Sequence, residues 1–326
     1  MIWLRCRAGL RIGTGHAERC LTLAKAIQQE NGKAGLILDQ DAKSYNSRAN
    51  TAGLPVQTML PGEPLAAEAA DYPDGPVVLD LSNPTLLDGL SDLVAALKAQ
   101  DRPVALIEGL DHEAYNGAAT PDLVITPYLG ALPRDSAGWI GGGEYAVLGE
   151  EYATEPTPLE DRNSILMMMS GSDPWHLTET TLAAAKAFGK KLIVVIGGSI
   201  PEERARQIAA EADAIGARVA HAPSTLHPLF LQSRAALIGP GLVKYEAIAT
   251  RTPPVIVSPG DQFVATQSAF VETGLAEVLS STQPDFAEAL KQSLYRALQS
   301  TPDWPAIIDG LGARRVARQL IARFGE

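Results

Sequence analysis

The sequence predicts a two-domain α/β protein in which each domain is a parallel β-sheet covered by helices, and the two sheets face each other across a cleft. Three observations support this fold class. The chain has 326 residues, which exceeds the usual size of one domain. Short apolar strands alternate with helical patterns, as in parallel sheets with helices on both faces. The alternation stops at residues 150–163, a stretch rich in Glu, Pro and Thr, and then restarts.

Strands and helices of the first domain follow from apolar runs and end signals. The predicted strands are short apolar runs, at 2–6, 36–39, 77–81, 104–107 and 123–125. One helix is expected to open at the 13–16 loop and to end at Asn31 and Gly32, and another spans about 86–100. The glycine-rich segment 139–143 is expected to be a loop.

The second domain repeats the pattern without a convincing sequence repeat. Its predicted strands are again apolar runs, at 165–169, 192–196, 218–220, 235–238 and 255–257. A helix should follow the first strand to about residue 188, and Pro201 suits the first position of the next one. A third helix runs through 244–249. An amphipathic helix is expected at about 304–324.

Composition excludes several function classes. The net charge is −11 and no long Lys/Arg run occurs, so a nucleic-acid surface is not expected. No apolar stretch approaches the length of a membrane span, and Arg5, Arg7 and Arg11 interrupt any signal-peptide pattern. Both cysteines fall on elements expected to be buried, which disfavours a disulfide scaffold and indicates a reducing, cytoplasmic setting.

The first candidate site is the strand–loop–helix at Gly13, Thr14, Gly15 and His16. Such a loop presents backbone N–H groups and a positive helix end to a phosphate. His16 falls in the first helical turn, where an imidazole can take a proton from water or a hydroxyl. The loop lacks the third glycine of the dinucleotide fingerprint. The alternative is a tight turn with a partly exposed histidine.

A second glycine turn, at 239–241, precedes the helix that carries Glu246. Its backbone N–H groups can bind a diphosphate, and a carboxylate one turn further can accept hydrogen bonds from the two hydroxyls of a ribose. The alternative for Glu246 is a first-turn acid favoured by the helix dipole.

Two further loops are candidates for anion binding. Ser170, Gly171 and Ser172 follow one strand, and Gly197 follows the next. For the first of these loops the alternative is a helix cap by Ser172 or Asp173. Asp111, His112 and Glu113 do not form a predicted metal site, because adjacent residues rarely converge on one ion. No motif requires a metal, and no cofactor is predicted.

Taken together, these stretches resemble the PseG/SpsG family. The resemblance is carried, in chain order, by Arg5, 12–16, Arg19, 23–24, 170–174, Gly241, 245–247 and Gln262. It implies a fold similar to that of MurG, the GT-B arrangement of two Rossmann-like domains. The implied domains are 1–152, 153–303 and a C-terminal helix, 304–326, that returns to the first domain.

The resemblance also implies an activity. Members of the family include a UDP-sugar hydrolase of pseudaminic acid biosynthesis, so His16 is expected to be the base that activates water for attack at the sugar C1. Glu246 is expected to hold the ribose, and Val219 or Ala220 the uracil. The complete set of expected substrate-binding residues comprises Gly13, Thr14, Gly15, Ser170, Gly171, Ser172, Gly197, Val219, Ala220, Gly239, Gly241, Leu242, Tyr245, Glu246 and Gln262.

The chain departs from the family pattern on the sugar side. Arg7 stands where an acid is usual, Ser82 where a tyrosine follows Asp80, and Glu108 and Gly109 where two aspartates occur. The expected partner is a UDP-sugar, and its hydrolysis is the first interpretation of the activity. A GT-B glycosyltransferase and a non-catalytic nucleotide-sugar-binding protein are the alternatives. The sequence gives no oligomeric state.

Overall fold

The computed structural model describes residues 1–7, 15–40, 42–60, 64–81, 87–110, 115–132, 138–301, 303–304 and 307–325. These residues form two compact units, Met1–Glu150 with Ile308–Glu326, and Glu151–Ile307. The chain thus crosses between units at the start of the 150–163 segment. That segment is not a plain linker, because Tyr152 and Arg162 are both buried in the second unit.

Each unit is built from parallel strands joined through helices. The strands are β1 (Ile2–Cys6), β2 (Ala34–Asp39), β3 (Val56–Met59), β4 (Val77–Asp80), β5 (Val104–Ile107), β6 (Leu123–Thr126), β7 (Trp139–Gly141), β8 (Ser164–Met168), β9 (Leu192–Ile196), β10 (Arg218–His221), β11 (Ser233–Ile238), β12 (Pro254–Ser258) and β13 (Glu277–Ser280). The helices are α1 (Gly15–Gln29), α2 (Lys43–Thr51), α3 (Leu90–Lys98), α4 (Leu177–Ala185), α5 (Glu202–Ala214), α6 (His227–Phe230), α7 (Val243–Ala249), α8 (Asp261–Val264), α9 (Ser268–Glu272), α10 (Phe286–Gln299) and α11 (Gly312–Phe324).

The sheet of the first unit has the order β3-β2-β1-β4-β5-β6-β7 in the described residues. At its centre Leu4 of β1 pairs with Leu36 of β2 and Val78 of β4, and all three side chains are buried. These three side chains face one apolar core, whereas Ile37, Val77 and Leu79 of the central strands are buried in another. Both faces of the sheet are therefore covered, which explains why the central strands are continuous apolar runs. Strands β2 and β3 follow β1 on one side of the sheet, and β4 to β7 lie on its other side. The direction in which successive strands are added therefore reverses at the boundary between β1 and β4.

The last helix packs on the first unit. Val316 and Leu320 of α11 lie in the same apolar core as Leu23 and Ile27 of α1. The helix begins at Gly312 rather than near residue 304, which corrects the predicted start. Gly310 has a left-handed backbone (φ 76°), a conformation that interrupts a helix and favours glycine.

The sheet of the second unit has the order β10-β9-β8-β11-β12-β13 in the described residues. Leu166 of β8 pairs with Ile193 of β9 and Ala236 of β11. The strand order again reverses at the first strand of the unit, here between β8 and β11. Both units therefore share one topology, although their sequences do not repeat.

The loop prediction for 139–143 is wrong over its first residues. Trp139, Ile140 and Gly141 form β7, which pairs with β6 through Ile140 and Ile125. The Trp139 indole N–H also donates to the Thr126 hydroxyl at 3.1 Å. A three-residue edge strand needs one partner only, so it carries no long apolar run that would mark it in the sequence.

Arg5 of β1 forms a buried ion-pair network in the first unit. It is fully buried, and its guanidinium donates to Glu68 at 2.9 and 3.1 Å and pairs with Asp39 at 2.8 Å. Burial alone would lower the pKa of Arg5, but the hydrogen bonds that it donates to Glu68 and the neighbouring negative charges raise its pKa above the ordinary value. The Tyr72 hydroxyl donates to the same Glu68 carboxylate at 2.8 Å.

Replacing Arg5 by Met should lower the free energy of unfolding by about 3 kcal/mol, because Glu68 and Asp39 would keep buried charges without their cation. Urea unfolding followed by circular dichroism measures this loss. Arg314→Met is the matched control: Arg314 pairs with Glu30 at 2.7 Å on an exposed surface, where such a pair contributes at most about 1 kcal/mol. Equal losses in the two variants would contradict a structural role for Arg5.

Candidate functional site

The strand reversal of the first unit brings two functional groups together. In open parallel sheets, ligands bind beyond the carboxyl ends of the strands at such a reversal. Strands β1 and β4 are direct neighbours there. α1 follows β1 and opens with Gly15 and His16, and Asp80 is the last residue of β4.

His16 is joined to Asp80 by a short hydrogen bond. Its Nδ1 lies 2.6 Å from Oδ1 of Asp80, and the His16 side chain is 24% exposed whereas that of Asp80 is 1% exposed. Because an ionised carboxylate only accepts hydrogen bonds, Nδ1 is the nitrogen that carries the proton. The lone pair of a neutral imidazole is then on Nε2, at the other side of the ring, where it can accept a proton.

Arg19 completes this cluster from the same helix. Its Nε lies 2.6 Å from Oδ2 of Asp80 and its Nη2 2.6 Å from Oδ1, a bidentate ion pair. Its Nη1 donates to the hydroxyl of Tyr128, which follows β6. Residues three apart on a helix share a face, so α1 aims both His16 and Arg19 at Asp80.

The Asp80 carboxylate stays ionised. Burial by itself would raise its pKa, but the charge of Arg19 and the hydrogen bonds donated by Arg19 and His16 lower the pKa below the ordinary value of an aspartate. The Cys20 thiol lies 3.7 Å from Oδ2 of the same carboxylate. A charged acceptor that is held on several sides fixes the orientation and the tautomer of the His16 ring.

Glu108 has an internal role. It is 2% exposed, and its carboxylate accepts hydrogen bonds from the Tyr115 backbone N–H at 2.8 Å and from the Thr126 hydroxyl at 3.2 Å. These bonds connect the carboxyl ends of β5 and β6. Glu108 therefore stabilises the segments that follow β5 and β6.

In the second unit, the candidate loops follow three adjacent strands, β9, β8 and β11. A side chain at Gly197 would overlap the carbonyl oxygens of Ser170 and Gly171, and one at Gly239 would overlap that of Met169. The Ser199 N–H donates to the Gly171 carbonyl at 2.9 Å. Glycine is required at both positions because the loops touch backbone to backbone.

The helix-cap alternative applies to Asp173. Its carboxylate accepts from the backbone N–H groups of Leu177 and Thr178 at 3.0 Å each, and Arg204 pairs with it at 2.6 Å. The Ser170 hydroxyl in turn accepts from the Asp173 N–H at 2.7 Å. The Asp173 carboxylate thus occupies the N-terminus of α4. An anion at this loop could therefore be bound only by the backbone of residues 170–172.

The second glycine turn contains both exposed and buried residues. Gly241 is exposed, whereas Leu242 and Glu246 are half-buried. Tyr245 is 1% exposed and packs edge-on against Phe270, with ring centroids 5.2 Å apart. The ring of Tyr245 therefore lies in the interior, while Glu246 is only partly accessible.

The remaining predicted residues of the second unit lie on elements next to these loops. Val219 and Ala220 are on β10, the edge strand, where they pair with Val194 and Val195. Gln262 is exposed on α8, which follows β12. The predicted Gly13 and Thr14, like 111–113, lie outside the described residues.

The described residues contain neither a metal cluster nor a membrane-spanning helix. In that part of the chain no group of three His, Cys, Asp or Glu side chains is placed to hold a metal ion. Among the helices of the same residues, none has both the length and the apolar composition that a membrane crossing requires.

Two parallel-sheet units in one chain, each with its polar loops at the strand reversal, define the GT-B fold class. No model of a known protein family matches the chain. In sequence the chain is similar to the spore coat polysaccharide biosynthesis protein SpsG of Bacillus subtilis, with 26% identity over 191 residues. The match covers 54% of this chain and 56% of SpsG, so it spans about half the length of that relative.

Solved structures with a similar fold extend over the whole chain. MurG of Acinetobacter baumannii matches with a TM-score of 0.61, 14% identity and 99% coverage of both chains. A UDP-GlcNAc 2-epimerase of Methanocaldococcus jannaschii, in complex with UDP-GlcNAc and UDP, has a TM-score of 0.64, 12% identity and coverage of 99% and 100%. The spinosyn rhamnosyltransferase SpnG, in complex with thymidine diphosphate, has a TM-score of 0.62 and 15% identity, and the match covers 99% of this chain and 96% of SpnG. The predicted GT-B fold is confirmed, and the likeness to SpsG supports the predicted resemblance to the PseG/SpsG family.

Proposed function

We propose that the chain is a nucleotide-sugar hydrolase, in which water attacks C1 of a UDP-linked sugar and UDP leaves. The observation that carries this proposal is the His16–Asp80–Arg19 cluster at the strand reversal of the first unit. A histidine whose Nδ1 is held 2.6 Å from a buried carboxylate has the arrangement of a general base. The similarity to SpsG, a spore coat polysaccharide biosynthesis protein, supports a role for this hydrolase in the synthesis of a surface polysaccharide.

His16 acts in this reaction through Nε2. The nitrogen takes a proton from water as the water oxygen bonds to C1, and the bond from C1 to the diphosphate oxygen breaks with its electron pair going to the diphosphate. Asp80 stabilises the imidazolium that results, and Arg19 keeps Asp80 ionised and fixed. The backbone N–H groups of the second unit's loops stabilise the leaving diphosphate.

The nucleotide is assigned to the second unit. Gly239 and Gly241 are proposed to meet the diphosphate, together with Ser170, Gly171, Ser172 and Gly197 on the neighbouring loops. Glu246 is proposed to accept hydrogen bonds from the ribose hydroxyls. UDP-bound and thymidine-diphosphate-bound relatives of the same fold support a nucleoside diphosphate as the ligand.

A glycosyltransferase is the second candidate. MurG and SpnG share the fold, and Glu108 is committed to internal hydrogen bonds where the family carries aspartates on its sugar side. In this case His16 would deprotonate an acceptor hydroxyl instead of water. The chemistry at Nε2 is otherwise the same.

A panel of UDP-sugars, incubated with and without acceptor alcohols, tests the proposal. Release of free sugar and UDP without an acceptor is the expected result. Turnover only in the presence of an acceptor would favour the transferase. Binding without turnover across the panel would favour a non-catalytic binding protein and would contradict the proposed activity.

Glu246→Ala should weaken UDP binding by about 1–3 kcal/mol, the range for a hydrogen bond to a charged group. Calorimetry with UDP and with its 2′,3′-dideoxy analogue measures the effect. Wild type and variant should bind the analogue equally, because it lacks the hydroxyls that Glu246 contacts. Glu211→Ala, at an exposed position of α5, is the control. An equal loss for both ligands would remove Glu246 from the ribose site.

A further inference from the structure

Lys244 is a buried cation behind the glycine turn of the second unit. The residue lies on α7 and is 7% exposed. Its Nζ donates to the carbonyl oxygen of Pro240 at 2.9 Å and to the side-chain oxygen of Gln267. The same nitrogen lies 4.9 Å from the ring centroid of Phe270 and 5.5 Å from that of Tyr245. Placing an ammonium group in such surroundings is costly unless its donors are used.

Gln267 is held so that its oxygen accepts from Lys244. The residue is 4% exposed, and its Nε2 donates to the Thr266 hydroxyl at 2.7 Å. The amide group therefore has its donor side engaged at Thr266 and its acceptor side at the ammonium. This arrangement fixes the position of Nζ under the turn.

The bond to Pro240 sets the direction of one peptide group. In a trans peptide the C=O of one residue and the N–H of the next point in opposite directions. Because buried Nζ holds the Pro240 oxygen toward the interior, the N–H of Gly241 points away from the interior. Gly241 is exposed, and a Cβ built on it would meet nothing within 4 Å. An outward backbone N–H at an open glycine is suited to an anion.

We propose that Lys244 is a positioning residue for the diphosphate of the bound nucleotide. Its ammonium turns the Gly241 N–H outward and adds a positive charge beneath the turn, and both effects favour a diphosphate over an uncharged nucleoside. This inference rests on the proposed function, since it assumes that a nucleoside diphosphate binds at the turn.

The test compares UDP with uridine. Lys244→Met keeps an unbranched side chain one heavy atom shorter and removes the charge and the donors. We expect the variant to bind UDP roughly tenfold or more weakly, while its affinity for uridine stays within about twofold, as measured by calorimetry. A role in folding alone would lower both affinities together. Lys186→Met, which removes an exposed lysine that follows α4, should change neither. An unchanged ratio of UDP to uridine affinity in Lys244→Met would overturn the inference.

A second measurement uses the wild-type chain and does not depend on the variant folding. In a spectrum of protein labelled with ¹⁵N-glycine, the Gly241 amide is assigned by its loss in Gly241→Ala. UDP should shift this amide far more than uridine does. Equal shifts with the two ligands would reject an outward N–H that meets the diphosphate.

The outcomes separate the two proposals. If wild type binds neither UDP nor uridine, the proposed nucleotide site fails, and the inference about Lys244 fails with it. If wild type binds UDP and the Lys244→Met variant keeps the wild-type preference for UDP, only the role of Lys244 is rejected.

Discussion

His16→Asn should reduce turnover of a UDP-sugar by roughly 10²–10⁴-fold, the usual contribution of a general base. Asparagine retains a side-chain donor that can reach Asp80, so the carboxylate stays hydrogen-bonded, but the variant has no ring nitrogen that can take a proton. UDP affinity should remain close to that of wild type, because the nucleotide is assigned to the second unit. Initial rates of UDP release and calorimetry with UDP measure the two quantities separately.

The control for this experiment is His221→Asn, which replaces an exposed histidine at the end of β10 in the second unit and should leave turnover unchanged. A His16→Asn variant that keeps wild-type turnover would eliminate His16 as the base. If turnover and UDP affinity fell in proportion, the residue would act in binding rather than in proton transfer.

The central strands could be predicted from sequence because both faces of the sheet are covered. Leu192–Ile196 is buried at every position, so it is a continuous apolar run. Of the edge strands in the described residues, β10 was predicted at 218–220, but β3, β7 and β13 were not. β3 is mostly half-exposed at Val56–Met59 and contains Gln57 and Thr58, and its place is set by pairing with β2 rather than by its own composition.

The His16–Asp80–Arg19 cluster was predicted only in part. His16 could be recognised locally, from a strand, a glycine loop and a helix start. Two signals for its partners were present in the sequence: Asp80 ends an apolar strand, and Arg19 lies three residues after His16. Their pairing depends on β1 lying beside β4, which brings residues 61–64 positions apart within hydrogen-bonding distance. Tyr128 had no local signal, since it joins Arg19 across 109 positions.

The second unit illustrates a different limit. α7 is buried at every position but Glu246, and a helix that is apolar on nearly all sides has no periodicity to indicate which residue faces a ligand. The family resemblance implied that Tyr245 and Glu246 both bind substrate, and the ring of Tyr245 packs on Phe270. The buried position of Lys244 was likewise not apparent, because lysine is usually exposed.

Asp80→Asn should lower turnover by up to about 10⁴-fold, the scale for a histidine base that loses its orienting carboxylate. The neutral amide no longer stabilises an imidazolium, and it can stabilise the wrong tautomer of His16. The same change should destabilise the fold by about 3 kcal/mol, since Arg19 would be left as a buried charge without its counter-ion. Rates must therefore be measured at a temperature where circular dichroism shows the variant fully folded.

The stability effect should depend on pH in a defined direction. Because the pKa of Asp80 is lowered in the folded protein, its contribution to the free energy of unfolding is fully present above the ordinary carboxyl pKa of about 4 and is lost as the pH falls through the lowered folded-state pKa. The difference in stability between wild type and Asp80→Asn should thus be constant from about pH 6 to 8 and shrink below about pH 4. A difference that stays constant down to pH 3 would contradict the assignment of Asp80 as the ionised partner of Arg19 and His16.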